Sequence, residues 1–317
     1  MKRSLKLFAL VFVLVSLFVA VGCAEVEEAV EPEEEQETAE AAGETVVTDQ
    51  MGREVVIKGV PERIISLTPA NTEIVFALGL ADNLFGVTEY CEYPPEAQEK
   101  EIVGDFASPS IEKVIELEPD LVLASTMHQE QVYRLEELEI AVLVVEPWSV
   151  EELYDSISLV AEMTGTVTAG EDLIASMQER IEAVQDVVGT IDPEDRVKVY
   201  YEVYSDPLMS AGPGVFVNDI ITLAGGINIF GDVDESYPMI SPEAVVEMQP
   251  EVILFPAVHG TSASVTDMVL DRPGWESIPA IKENRVYVVS DDSFANPSTR
   301  MVDNIEEAAK LFYPDQF

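Results

Sequence analysis

The chain has 317 residues, of which 47% are hydrophobic and 25% charged; this ordinary globular composition excludes a disordered chain, a collagen or a polytopic membrane protein. Its 61 acidic residues outnumber 17 basic ones, for a net charge of −44, and such a surface repels phosphates, which argues against a nucleic-acid partner. Two cysteines, Cys23 and Cys91, can build neither a disulfide framework nor a four-ligand zinc site.

Residues 1–23 carry Lys2, Arg3 and Lys6, then an apolar run from Leu7 to Val21 broken only by Ser16, then Gly22 and Cys23. A fifteen-residue apolar helix reaches about 22 Å, short of a hydrocarbon core of about 30 Å, so a signal peptide fits better than a permanent span. Small residues leading into a cysteine resemble a lipobox, in which Cys23 is acylated and becomes the mature amino terminus. An uncleaved anchor helix is the alternative. Both place the rest of the chain outside the cytoplasm, on the outer face of the cytoplasmic membrane.

Residues 24–44 hold ten glutamates and no basic residue, and read as an extended acidic tether. Subtracting those ten glutamates and the three leading cations from the whole-chain totals leaves 51 acidic and 14 basic residues over 45–317, net −37. A salt-rich habitat, which screens self-repulsion, accounts for this as well as a specific partner does.

Periodic patterning starts at Thr45. Val46-Val47 and Val55-Val56-Ile57 flank Asp49-Gln50-Met51-Gly52 and read as a hairpin. A buried strand at 64–67 is followed by a turn and cap from Thr68 to Glu73, then a helix over 74–78 stopped by Gly79. Strands at 85–87, 121–124 and 142–145 alternate with helices, which argues for βαβ units and a mostly parallel sheet. Leu173, Ile174, Met177, Ile181, Val184 and Val188 recur at helical spacing over 170–188. A second α/β block begins at Val197. The organisation read from this is a lobe at 45–165, a connecting helix at 166–192 and a lobe at 193–317.

The two blocks echo each other. Ser110-Ile111-Glu112 opens a run that ends in Glu118-Pro119-Asp120 before Leu121-Val122-Leu123, and Ser241-Pro242-Glu243 opens one that ends in Gln249-Pro250-Glu251 before Val252-Ile253-Leu254. The offset is 131 throughout. Helix capping explains Ser, and chain termination explains Pro; the remainder is better explained by two related lobes. His128 and His259 obey the same offset, just beyond the carboxyl ends of equivalent strands, where open α/β sheets bind ligands. The fold class expected is α/β, with two lobes around central, mostly parallel sheets, one long connecting helix and a cleft between them.

Several stretches resemble the cobalamin-binding proteins of ABC importers: Ser66-Leu67-Thr68-Pro69-Ala70-Asn71-Thr72-Glu73, Gly86-Val87-Thr88-Glu89-Tyr90-Cys91-Glu92-Tyr93-Pro94-Pro95 and the paired Ser-x-Glu motif. Gly212 to Ile221 and Leu223 to Phe230 resemble the wider group that also carries haem and iron–siderophores. The resemblance runs from about Arg63 to Leu311. It implies a monomeric receptor with little hinge motion and no catalysis or cofactor of its own, which delivers a chelate to a permease and its ATPase. Glu112 and Glu243 match the family's permease-docking positions. Pro69, Tyr90, Phe106, Tyr237, Asp292 and Phe294 match or stand near ligand contacts, while Ser125 stands where a well-known cobalamin receptor has a tryptophan. The implied cargo is a cobalt corrinoid, the alternatives an iron–siderophore or haem.

Scarce cations favour a ligand of low net charge, with Arg300 the candidate for meeting an anionic one or for pairing nearby. His128 and His259 are weak metal candidates against the commoner reading as loop histidines, and Cys91 either ligates or packs. Rival classes are an enzyme, for which no Gly-x-Ser-x-Gly, phosphate-loop or His-Glu-x-x-His motif is present, a receptor for free zinc or manganese, and an adhesion or sensory module.

Overall fold

The computed structural model of the protein describes residues 43–257, 262–294 and 296–317. Cys23, His259 and the expected signal segment lie outside them, as does all but the end of the expected tether. No described helix is long and apolar enough to cross a membrane.

The hairpin is present as β1 (Glu44–Thr48) and β2 (Glu54–Lys58), antiparallel, with Val47, Val55 and Ile57 turned inward. The first lobe follows as β3 (Ile64–Ser66), α1 (Pro69–Ala77), β4 (Leu84–Val87), β5 (Glu101–Ile102), α2 (Ile111–Glu116), β6 (Leu121–Ala124), α3 (Gln129–Glu136) and β7 (Ala141–Val144). Helix α1 starts five residues earlier than its periodicity suggests. Thr68 caps it by accepting the Asn71 N–H, and Pro69, whose fixed φ suits a first helical position, opens it directly.

Helices α4 (Val150–Thr164) and α5 (Val167–Val188) join the lobes. Gly165, at φ +72°, closes α4. Gly170 lets the two helices touch, since a Cβ there would stand 2.7 Å from the Ala161 Cβ. At 22 residues α5 spans about 33 Å, three residues longer at its start than the expected helix.

The second lobe comprises β8 (Lys198–Ser205), β9 (Leu208–Ser210), α6 (Phe216–Leu223), β10 (Ile227–Asn228), α7 (Pro242–Met248), β11 (Val252–Pro256), α8 (Ser262–Leu270), α9 (Pro279–Lys282), β12 (Val286–Val289), α10 (Asp291–Phe294) and α11 (Met301–Phe312).

The first-lobe sheet runs β5-β4-β3-β6-β7 and is parallel throughout. The second runs β10-β8-β11-β12, also parallel, with β9 antiparallel on β8. In each, the first strand lies inside: β3 between β4 and β6, β8 between β10 and β11. The related lobes inferred from the offset of 131 show the same pairing, Leu121 on Ile64 in one and Val252 on Val199 in the other. The backbone repeats too. Glu118 and Gln249, both just before the proline, have φ of 47° and 52°, and Glu139 and Asn284 take φ of 61° and 56° two residues before β7 and β12.

Alternation along the strands divides the core. Ile64, Leu121, Leu123, Val199, Tyr201, Val252 and Leu254 join one continuous cluster that passes through α4, α5 (Met177, Ile181, Val184, Val188) and α11 (Val302, Ile305, Phe312). Their neighbours turn to the other faces: Ile65 and Val122 in one lobe, Tyr200, Ile253 and Phe255 in the other, each in its own smaller cluster.

Candidate ligand cleft

Strand order reverses beside β3 and beside β8, and the loops leaving the carboxyl ends there face one cavity of about 430 Å³. Thr68, Pro69 and Ala70 enter it from the end of β3, Ser125 from the end of β6, and Val145, Glu146, Pro147 and Trp148 from the end of β7. Tyr90 and Phe106 come from the loops after β4 and β5. The second lobe supplies Phe216, Tyr237, Asn296 and Pro297. Among the described residues, no lysine or arginine lines the cavity.

The wall is held by backbone and buried polar groups. Asn71 Nδ2 donates to the carbonyls of Ala124 (3.2 Å) and Val145 (3.3 Å), fixing α1 to the ends of β6 and β7. The Glu146 carboxylate accepts from the Thr126 N–H (3.0 Å) and hydroxyl, while its own N–H donates to Gln50 Oε1. Trp148 N–H donates to Glu152 Oε2 (2.8 Å), and Ser149 caps α4 by accepting the Glu152 N–H (3.1 Å). The Trp148 backbone N–H is thus pinned while the residue as a whole stays 51% exposed. Tyr90 and Tyr237 are also half exposed, and burial pushes the Tyr237 phenol pKa up, keeping it a neutral donor.

His128 is fully buried. Its Nδ1 accepts the Ser125 N–H (3.1 Å), which puts the proton on Nε2, and Nε2 donates to the Phe106 carbonyl (2.7 Å). The Phe106 ring meets the imidazole edge-on at 5.7 Å. The reading as a metal contact is therefore corrected: both ring nitrogens are used, and the residue props Phe106 against the end of β6. No group of three or more His, Cys, Asp or Glu among the described residues could hold a metal ion.

Of the six expected ligand contacts, Pro69, Tyr90, Phe106 and Tyr237 line the one cavity. Phe294 does not. It is fully buried in the continuous core, because one turn of α10 carries it inward. Asp292 falls on the same helix, and its side chain lies outside those described. Cys91 packs: it is buried, takes contacts from the hydroxyls of Thr72 (3.1 Å) and Thr88 (3.4 Å), and burial raises its pKa. Glu112 and Glu243 are exposed at the second positions of α2 and α7, capped by Ser110 and Ser241. Hydrogen bonds from its own N–H and from Ser110 hold the Glu112 carboxyl below its usual range, so it is ionised. Arg134 approaches it only at 3.9 Å.

Glu146, Trp148, Phe216 and Asn296 were not anticipated. Trp148 could have been, since it follows Pro147 just past the strand at 142–145, where a parallel sheet presents its ligands.

The sequence profile of the periplasmic binding proteins matches residues 64–292, well over half of the chain. The chain belongs to the periplasmic binding protein family. It is 34% identical over 277 residues to an uncharacterized ABC transporter substrate-binding lipoprotein, YvrC of Bacillus subtilis (strain 168), covering 86% of each chain. It is 28% identical to the vitamin B12-binding protein of Vibrio cholerae (strain ATCC 39541), over 78% of this chain and 87% of that one. Among solved structures it is similar to the haem-binding protein RhuT of Roseiflexus sp. RS-1, with a TM-score of 0.71 and 28% identity over 80% of this chain and 98% of that one. The family is one of binding proteins, not of enzymes.

The buried, neutral state of His128 predicts a pH dependence. Burial holds its pKa below the ordinary 6.5, so the unfolded chain takes the proton first as pH falls. Its contribution is complete above about pH 6.5 and is lost as pH drops through the lower folded value. His128→Gln should lower the melting temperature at pH 7.5 and flatten its fall between pH 7.5 and 5. Thermal unfolding at both pH values checks this; parallel curves for the two proteins would refute it.

Proposed function

We propose that this protein is the lipid-anchored substrate-binding component of an ABC importer, located outside the cytoplasm, and that its cargo is a corrinoid. The observation that carries the reading is the cavity wall: Tyr90, Phe106, Trp148, Phe216 and Tyr237 converge from both lobes with no lysine or arginine among them. Such a wall suits a broad, largely apolar ligand without negative charge. Covering about 300 Å² of these rings gives roughly 7 kcal/mol, which does no more than offset an association cost of about 4–15 kcal/mol. Tight capture therefore also needs polar contacts, and Ser125, Glu146 and Asn296 stand on the wall to make them. The Glu146 carboxylate accepts from amides, such as those at the rim of a corrin, and repels carboxylates.

Haem is the second reading, favoured by the likeness to a haem-binding structure. With His128 buried and both its nitrogens bonded, axial ligation would fall to Tyr90, half exposed on the cavity wall. An iron–siderophore receptor fits less well, because an anionic chelate would meet Glu146 and no cationic wall.

Titration of the purified protein in 1 M NaCl with cyanocobalamin, haemin and a ferric siderophore, followed by absorbance and melting temperature, tests the ligand. A saturable one-to-one response to cyanocobalamin is expected, weakened at least tenfold in Trp148→Ala. A response to haemin or the siderophore alone would overturn the corrinoid assignment.

Delivery is proposed to run through Glu112 and Glu243, equivalent exposed carboxylates, one on each lobe, that fit a permease presenting two arginines. Glu112→Arg with Glu243→Arg should abolish uptake in cells carrying the cognate permease and leave ligand affinity within twofold. Unchanged uptake would sink the docking assignment.

A further inference from the structure

Beside the ligand cavity lies a second hollow that shares the walls Pro69, Tyr90 and Asn296 and adds Glu73, Glu92, Tyr93 and Arg300. Arg300 is its only cation among the described residues. That guanidinium is already matched. Nη2 meets Glu73 Oε1 at 2.6 Å and Nε meets Oε2 at 3.0 Å, a two-point pair, and its plane lies 4.2 Å over the Tyr93 ring. The Glu73 side chain is 1% exposed and that of Arg300 18%, so the pair sits out of water, where separating the partners is costly. Glu73 comes from α1 of the first lobe, and Arg300 immediately precedes α11 in the second.

We propose that Glu73 is a specificity-determining residue: by neutralising Arg300 at the edge of the cleft, it makes the receptor reject anionic chelates and accept those without net negative charge. The inference rests on the cleft being the ligand site. A propionate or catecholate reaching this wall would have to displace a carboxylate already bonded at two points and held in place by the fold. It would do so against the net charge of −37 over residues 45–317. The Glu73–Arg300 pair thus adds no net charge to the wall, although an arginine occupies it. Remove the carboxylate while keeping its shape, and the same guanidinium, still seated on Tyr93, stands beside one negative charge fewer.

A purely structural role, clamping one lobe to the other, makes a different prediction, because it has no charge-selective consequence. The test uses the full protein, Glu73→Gln, and Glu73→Gln combined with Arg300→Gln, with haemin and a tris-catecholate ferric chelate as anionic probes and cyanocobalamin as the neutral one. Affinity for both anionic probes should rise at least tenfold in Glu73→Gln at 0.1 M NaCl, and the gain should disappear in 1 M NaCl and in the double variant. A change of less than twofold in a Glu73→Gln protein whose melting temperature is retained overturns the proposal.

Should Glu73→Gln fail to fold, the unmodified protein decides. Raising NaCl from 0.1 to 1 M should leave haemin affinity unchanged or increase it, since only repulsion is being screened. A tenfold loss would mean that Arg300 already engages anions, and would overturn the proposal. Failure of the unmodified protein to bind cyanocobalamin would sink the corrinoid assignment instead, and the anionic arms would still decide the role of Glu73.

Discussion

The site depends on one apolar core that the two lobes share. Because side chains alternate along each parallel strand, one face of both sheets drains into the same cluster through α4, α5 and α11, leaving the other faces to be covered locally. Swinging the lobes apart would expose part of that cluster. At roughly 25 cal/mol per Å², even 200 Å² would cost about 5 kcal/mol, comparable to the whole stability of many domains. Polar pairs reinforce the arrangement: Val150 N–H donates to Asp219 across the lobes (3.1 Å), and Arg180 on α5 holds Asp303 and Glu306 of α11. A cleft fixed in this way needs little ordering when ligand arrives, so more of the contact energy appears as affinity.

Within that frame the chemistry is set by subtraction as much as by supply. The rings give area and the acidic wall gives acceptors, but the cations near the cleft are already engaged. Arg300 is matched by Glu73 and stacked on Tyr93; further away, Arg272 is matched by the buried Glu202 and stacked on Trp275. Both of these arginines are held by a carboxylate that is itself buried, and for the cleft the proposed consequence is selectivity for charge.

Much of this was legible in the residues. Runs such as Leu121-Val122-Leu123 and Val252-Ile253-Leu254 are buried on both faces and so read as central strands; each pairs with the first strand of its sheet, and the offset of 131 between them extends to the left-handed residues Glu118 and Gln249. Tyr90, Phe106 and Tyr237 were legible through the resemblance to cobalamin-binding proteins, and all three line the cavity. What escaped was direction. Phe294 looked like another loop aromatic, but its side of α10 is decided by packing on the core around α11. His128 was placed correctly beyond β6, yet its orientation is set by the Phe106 carbonyl, 22 residues earlier in the chain, and no local pattern encodes that. The partnership of Glu73 with Arg300, across 227 residues, was likewise invisible before the lobes were assembled.

The central claim is that the aromatic cavity between the lobes holds the ligand. Hydroxyl-radical footprinting with and without saturating cyanocobalamin tests it residue by residue, because exposed aromatics occur both inside and outside the cleft. Tyr90, Trp148 and Tyr237 are 50%, 51% and 44% exposed, against 49% for Tyr133 and 58% for Tyr204, which do not line the cavity. The account predicts strong protection of the first three and unchanged oxidation of the last two. Saturable binding with equal oxidation at all five would place the ligand elsewhere and contradict it.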